Sequence, residues 1–246
     1  MTSFSAPRWP DDPALFLDLD GTLLDFALDP SRVEVPGHLR GILCKLPEAT
    51  NGAIAFVSGR TLADLDRLLG PGRFPLAAVH GLERRDSRGM VSTAGSVEGE
   101  LDEMHEILRG IAADYPETLL EHKGRTLALH YRRCPELEPM LVGCVEQSLE
   151  GMASRLRLMR GKMVLEIRPA EADKGTAIVA FMQEAPFRGR TPVFVGDDVT
   201  DEDGFRAVNE LGGLSVKVDR GPSAAGYRLP DTQAVIEWLE ELVTRR

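Results

Sequence analysis

The chain has 246 residues, 43% hydrophobic and 28% charged, with a formal net charge of −10, a length and composition that suit one large globular domain or two smaller ones. The acidic balance argues against a general nucleic-acid or anionic-membrane surface, and no apolar run approaches the ~20 residues of a membrane span. The N-terminus MTSFSAPRWPDD lacks a basic segment before an apolar core, so no secretory signal is read there and a cytoplasmic protein is expected.

Leu15–Asp18 reads as a buried strand bounded by Pro13 and Gly21. It runs into two aspartates, Asp18 and Asp20, and an unpaired buried carboxylate is costly, so these two need a positive partner. Pro36–Leu46 carries the Leu39, Ile42, Leu43 and Leu46 stripe of an amphipathic helix. Ala53–Arg60 is a second apolar run ending on Ser58, Gly59 and Arg60. A helix follows, with capping-box spacing between Thr61 and Asp64. Strand, helix, strand, helix predicts a parallel sheet covered by helices.

The pattern then changes. LAAVHGLERR and GMVSTAG read as a strand and a short return, and Val97–Tyr115 as a helix. TLLEHK and RTLALHYR form two strands meeting at Gly124, a helix spans Leu137 to Leu149, and RLRLMRGKMVLEIRP is a hairpin turning at Gly161. From Asp173 the first pattern returns: KGTAIVAFMQEA is a helix and TPVFVGDD a buried strand. TDEDGFRAVNELGG is a helix with capping-box spacing from Thr200 to Asp203, LSVKV a strand, and Asp231 opens the last helix. The expected fold is α/β: a Rossmann-like parallel-sheet core, residues 1–95 and 167–246, interrupted by a smaller α/β cap domain, residues 96–166.

Three core strands end in polar clusters: Asp18/Asp20, Ser58/Arg60 and Asp197/Asp198/Asp201. Ligands of open parallel sheets sit beyond the carboxyl ends of the strands, so these clusters can converge, with Lys174 joining from a helix start. Several carboxylates with one lysine still lack positive charge. Mg²⁺, a hard cation that takes carboxylate and phosphate oxygens, supplies it.

In this order and context the motifs resemble the haloacid dehalogenase superfamily of phosphatases, over the whole chain. The resemblance implies that Asp18 is the nucleophile and Asp20 the acid/base that serves the leaving oxygen and then water. It implies that Ser58 and Gly59 bind phosphate, that Lys174 neutralises charge, and that Asp18, the Asp20 carbonyl and Asp197 hold Mg²⁺ with Asp198 and Asp201 in support. It does not choose between Asp198 and Asp201 as a direct ligand. In HGLE (His80–Glu83), EHKGRTLALHYR (Glu121–Arg132), LEIRP followed by DKG, and GDDVTDED, the chain is similar to the trehalose-6-phosphate phosphatase family. That likeness implies substrate contacts from Arg60, Glu83, Lys123, Gly124, Glu166 and Arg168. It also implies a small sugar-phosphate substrate and a separate trehalose-6-phosphate synthase in the same pathway. Leu19 stands where the family more often has an aromatic and is expected to point away from the site.

The alternatives are phosphatases of sucrose 6-phosphate or glycosyl phosphoglycerate, a phosphomannomutase, and a catalytically silent sugar-phosphate sensor. The presence of Asp20 speaks against the sensor. Cys44, Cys134 and Cys144 lack metal or disulfide spacing and are read as core residues. The five histidines form no metal-spaced pair, and Trp9 and Trp238 are read as packing residues.

Overall fold

The computed structural model describes residues 4, 6–25, 33–94, 97–161, 163–170 and 172–245. The chain divides into two compact units, Met1–Ala94 with Asp173–Arg246, and Gly95–Ala172. Residues 95 and 96, the expected start of the insert, lie outside the described residues. The expected end at residue 166 falls inside a strand that continues to Pro169, and a hydrogen-bonded ladder is not divided midway; the division comes after it.

The first unit holds β1 (Pro13–Leu17), α1 (Gly37–Ala49), β2 (Ile54–Val57), α2 (Leu62–Leu69), β3 (Leu76–Ala78), β4 (Glu83–Arg85) and β5 (Val91–Thr93). The second holds α3 (Glu98–Asp114), β6 (Leu119–His122), β7 (Leu127–His130), α4 (Glu138–Leu149), β8 (Leu156–Gly161) and β9 (Val164–Pro169). The chain then returns to the first unit with α5 (Lys174–Met182), β10 (Thr191–Gly196), α6 (Glu202–Glu210), β11 (Leu214–Val218), β12 (Tyr227–Leu229) and α7 (Thr232–Thr244).

The large sheet has the order β12-β11-β10-β1-β2-β3-β4-β5. It is parallel from β12 to β3, and β4 and β5 extend it antiparallel. Both faces are covered, which is why the central strands read as continuous apolar runs. Leu15 and Leu17 of β1 face one core with residues of α1, α2 and α7. Ala14 and Phe16 face the other, with Ile178 and Phe181 of α5 and Phe205 of α6. Trp9 and Trp238 stack with ring centroids 3.8 Å apart, each indole N–H donating to a main-chain carbonyl near the other ring, a packing role as expected. The second unit has an antiparallel sheet, β6-β7-β9-β8, with one core that includes Leu101 and Leu108 of α3 and Leu141 and Val145 of α4.

Four expectations change. LAAVHGLERR is not one strand: Val79, His80 and Gly81 take left-handed φ values of 47°, 57° and 96°, and the chain reverses from β3 into the antiparallel β4. The capping box expected at Thr200–Asp203 lies earlier, where Asp198 accepts from the Val199 N–H and its own N–H donates to Asp201; α6 begins only at Glu202. Cys44 is exposed on α1, whereas Cys134 is buried, because Cys44 sits beside the Leu39/Leu43/Leu46 stripe and not within it. The short edge strand β12 has no counterpart in the expected elements.

Candidate active site

β1 lies between β10 and β2, so the chain winds outward from it in both directions. This is the switch point where open α/β sheets bind ligands. Asp18 follows β1 and Asp197 follows β10, strands paired in parallel with Leu17 opposite Val195. The two carboxylates are brought together by register alone.

Lys174 enters the same point from α5. Asp173 caps that helix, accepting from the Thr176 N–H at 2.7 Å, which sets Lys174 as its first residue. The Lys174 ammonium is buried and donates to Asp18 Oδ1 at 2.8 Å and Asp201 Oδ1 at 2.6 Å. Asp201 is fully buried, and its Oδ2 accepts from the N–H groups of Asp197 and Asp198, each at 2.9 Å. Gly196 makes room for it: a Cβ there would lie 2.4 Å from Asp201 Cγ. Asp18, Asp197 and Asp201 each present an oxygen within 4.8 Å of the others. Asp198 lies outside that group and spends its Oδ1 on the Val199 N–H at 2.6 Å.

Three carboxylates share one ammonium, and their titration reflects it. Burial raises the Asp18 carboxyl well above the ordinary range; Lys174 opposes this, while Asp201 and Asp197 add to it. Burial, then the Asp201 charge, pushes Asp197 up to about 6. Burial works against the Lys174 ammonium, but Asp18 and Asp201 overcome it and hold the group protonated above its ordinary range. Excess negative charge, hard oxygen donors and a partly open Asp197 fit a hard divalent cation. The lone pairs of Asp201 are largely committed to Lys174 and two amides, so Asp18 and Asp197 offer the freer oxygens.

Asp20 is half-buried and forms a two-pronged ion pair with Arg60, with Nε and one terminal nitrogen each 2.6 Å from a carboxylate oxygen. This bond raises the Arg60 guanidinium, which burial opposes. Ser58 is buried after β2, and its Oγ accepts from the Arg60 N–H at 3.2 Å. Gly59 packs under the His80 ring, where a Cβ would lie 2.6 Å from the imidazole. Leu19 is fully buried in the core. Glu83 lies in β4 opposite Ala78 and Thr93. The other four expected substrate residues belong to the second unit. Lys123 and Gly124 form the β6–β7 turn, with Gly124 at φ 82°, Glu166 lies in β9 between Ala128 and Met159, and Arg168 is buried in β9.

Two residues absent from the expected set touch the cluster. Thr22 Oγ1 lies 3.2 Å from Asp197 Oδ1 and 3.5 Å from Asp18 Oδ2. The Lys217 ammonium donates to the Asp197 carbonyl. A signal existed for both: Thr22 closes the D-x-D-G-T stretch, and Lys217 is the one charge in LSVKV.

Residues 16–233 match the family model described as trehalose-phosphatase. The chain belongs to that family. As a member of the trehalose-phosphatase family it is a phosphoric monoester hydrolase. It is 46% identical over 231 residues to the trehalose-6-phosphate phosphatase of Escherichia coli K12, covering 94% of this chain and 86% of that protein. A bifunctional trehalose-6-phosphate synthase/phosphatase of Thermoproteus tenax is 33% identical over 93% of this chain and 31% of its own length. The solved trehalose-6-phosphate phosphatase of Aspergillus fumigatus superposes with a TM-score of 0.73 at 27% identity, over 94% of this chain and 92% of that one. Among the described residues no helix is long and apolar enough to cross a membrane.

Proposed function

We propose that the chain hydrolyses trehalose 6-phosphate to trehalose and phosphate with Mg²⁺, through an aspartyl phosphate on Asp18. The convergence of Asp18, Asp197 and Asp201, with Lys174 bonded to Asp18 and Asp201, carries this reading, and the E. coli relative at 46% identity supports the substrate. Asp18 and Asp197, with the Asp20 carbonyl, would hold the cation. When bound, it supplies positive charge that aligns the phosphate and screens it from the carboxylates.

Asp18, its carboxylate favoured by the Lys174 ammonium, attacks phosphorus in line with the sugar oxygen. Asp20 protonates the departing oxygen and then takes a proton from the water that cleaves the acyl phosphate. Arg60 holds both Asp20 oxygens and so fixes that carboxyl's direction. Ser58 and the Gly59 main chain hydrogen-bond the phosphate oxygens, Asp201 keeps the Asp197–Asp198 loop in shape, and Asp198 caps its turn. Lys123, Gly124, Glu166, Arg168 and Glu83 serve sugar recognition. The substrate would come from a synthase reaction in the cytoplasm, an activity that the Thermoproteus tenax relative carries on the same chain as its phosphatase.

The test is phosphate release with Mg²⁺ from trehalose 6-phosphate beside sucrose 6-phosphate, glucosyl phosphoglycerate and glucose 6-phosphate. Strong preference for trehalose 6-phosphate, lost on chelation, is expected. Preference for another ester would overturn the substrate, and turnover that survives chelation would overturn the cation's role.

A further inference from the structure

Lys217 is a lysine buried in an apolar strand, 7% exposed, to which the mechanism above gives no task. A buried ammonium is costly without partners. Among the described residues its bond goes to one acceptor, the main-chain carbonyl of Asp197. The β10–β11 register places Lys217 opposite Gly196, the residue before Asp197.

The Asp197 N–H is held by Asp201 Oδ2 at 2.9 Å. The next peptide unit is held at both ends, its N–H by the same oxygen at 2.9 Å and its carbonyl by Lys217. Each peptide unit is planar, so fixing the two units that flank Asp197 fixes its φ and ψ and therefore the direction of its Cβ. Asp201 belongs to the same short loop and would move with it. Lys217 belongs to β11 and ties the loop to the sheet. We infer that Lys217 is a positioning residue for Asp197, aiming its carboxylate at the cation site from behind through the main chain. The inference rests on the reading of Asp197 as a cation ligand.

Charge and position make opposite demands here, which gives the test its edge. Removing a positive charge near a cation site tightens cation binding by simple electrostatics. Losing a group that orients a ligand typically weakens it about 10–100-fold. Mg²⁺ binding to the substrate-free protein, measured by titration calorimetry, should therefore be weaker by at least about tenfold in Lys217→Met, with far-ultraviolet circular dichroism as in the wild type. Unchanged or tighter binding would overturn the inference. If Lys217→Met does not fold, Lys217→Gln replaces it: its amide stops one bond short of the ammonium, so weakening is again expected and unchanged or tighter binding again overturns the role. Asp197→Ala separates the two levels. If it abolishes Mg²⁺ binding while the Lys217 variant binds like wild type, only the Lys217 role fails. If Asp197→Ala binds Mg²⁺ as the wild type does, the ligand role of Asp197 fails and takes this inference with it.

Discussion

At the scale of single residues, the site is a charge imbalance held in place by packing. Asp18, Asp197 and Asp201 cannot all relax away from one another because Lys174 and the strand ends pin them. Asp18→Asn should abolish turnover of every phosphate ester while the protein remains folded, since an amide is a poor nucleophile; phosphate release and circular dichroism on the same preparation check both halves. Asp197 carries a pH signature. Its carboxyl is pushed from the ordinary 3.8 to about 6 by burial first and the Asp201 charge second, so the folded metal-free protein binds that proton more tightly than the unfolded chain does. Its charge therefore costs nothing below about pH 4, costs progressively more up to about pH 6, and costs its full amount, at most ~3 kcal/mol, above that. Metal-free Asp197→Asn should melt above wild type at pH 8, and the gap should close as the pH falls below about 4. Saturating Mg²⁺ should reverse the order, because only the wild type keeps the full ligand set.

At the scale of elements, local signals survive where a side chain meets its own backbone. The Thr61 cap of α2 is one, with the Asp64 N–H donating to Thr61 Oγ1 at 3.2 Å. The reciprocal box of Asp173 and Thr176 at the start of α5 is another, and it also carries Lys174. Asp173→Ala should lower stability by about 1 kcal/mol, read from denaturant midpoints, with kcat reduced more than this loss accounts for because Lys174 is the next residue. The Val79–Gly81 reversal was not legible. A valine at φ 47° is a costly conformation that no propensity announces. It exists because the Val79 and His80 N–H groups find the carbonyls of Arg60 and Ser58, both at 2.9 Å, on the neighbouring strand end.

At the scale of the whole molecule, the apolar runs and helical stripes reported which faces would be buried. That made the parallel sheet, the inserted unit and the return to the sheet readable in order. The terminal segments close the first unit through the Trp9–Trp238 stack, and Trp9→Ala should lower stability by about 3–5 kcal/mol, seen as a lower unfolding midpoint with the unfolding slope unchanged. The proposed role of the second unit in sugar recognition is tested at Glu166. Glu166→Ala should depress turnover of the sugar phosphate while affecting an aryl phosphate less, and an equal fall on both would remove Glu166 from sugar recognition.

Sequence alone determined the order of the elements and the carboxylates at the strand ends, the β3–β4 reversal and the edge strand β12 apart, because periodicity and strand-end polarity are written locally. Membership of the family was legible in the same motifs. Only the tertiary structure decided which acidic side chains meet. Asp201 turns into the cluster and Asp198 does not, although both stand within five residues in GDDVTD. Lys174 reaches Asp18 across 156 residues and Thr22 reaches Asp197 across 175, distances that register and packing close and no local pattern encodes. Lys217 belongs with these: a lone charge in an apolar strand whose acceptor, the carbonyl of Asp197, appears only when β10 and β11 lie side by side.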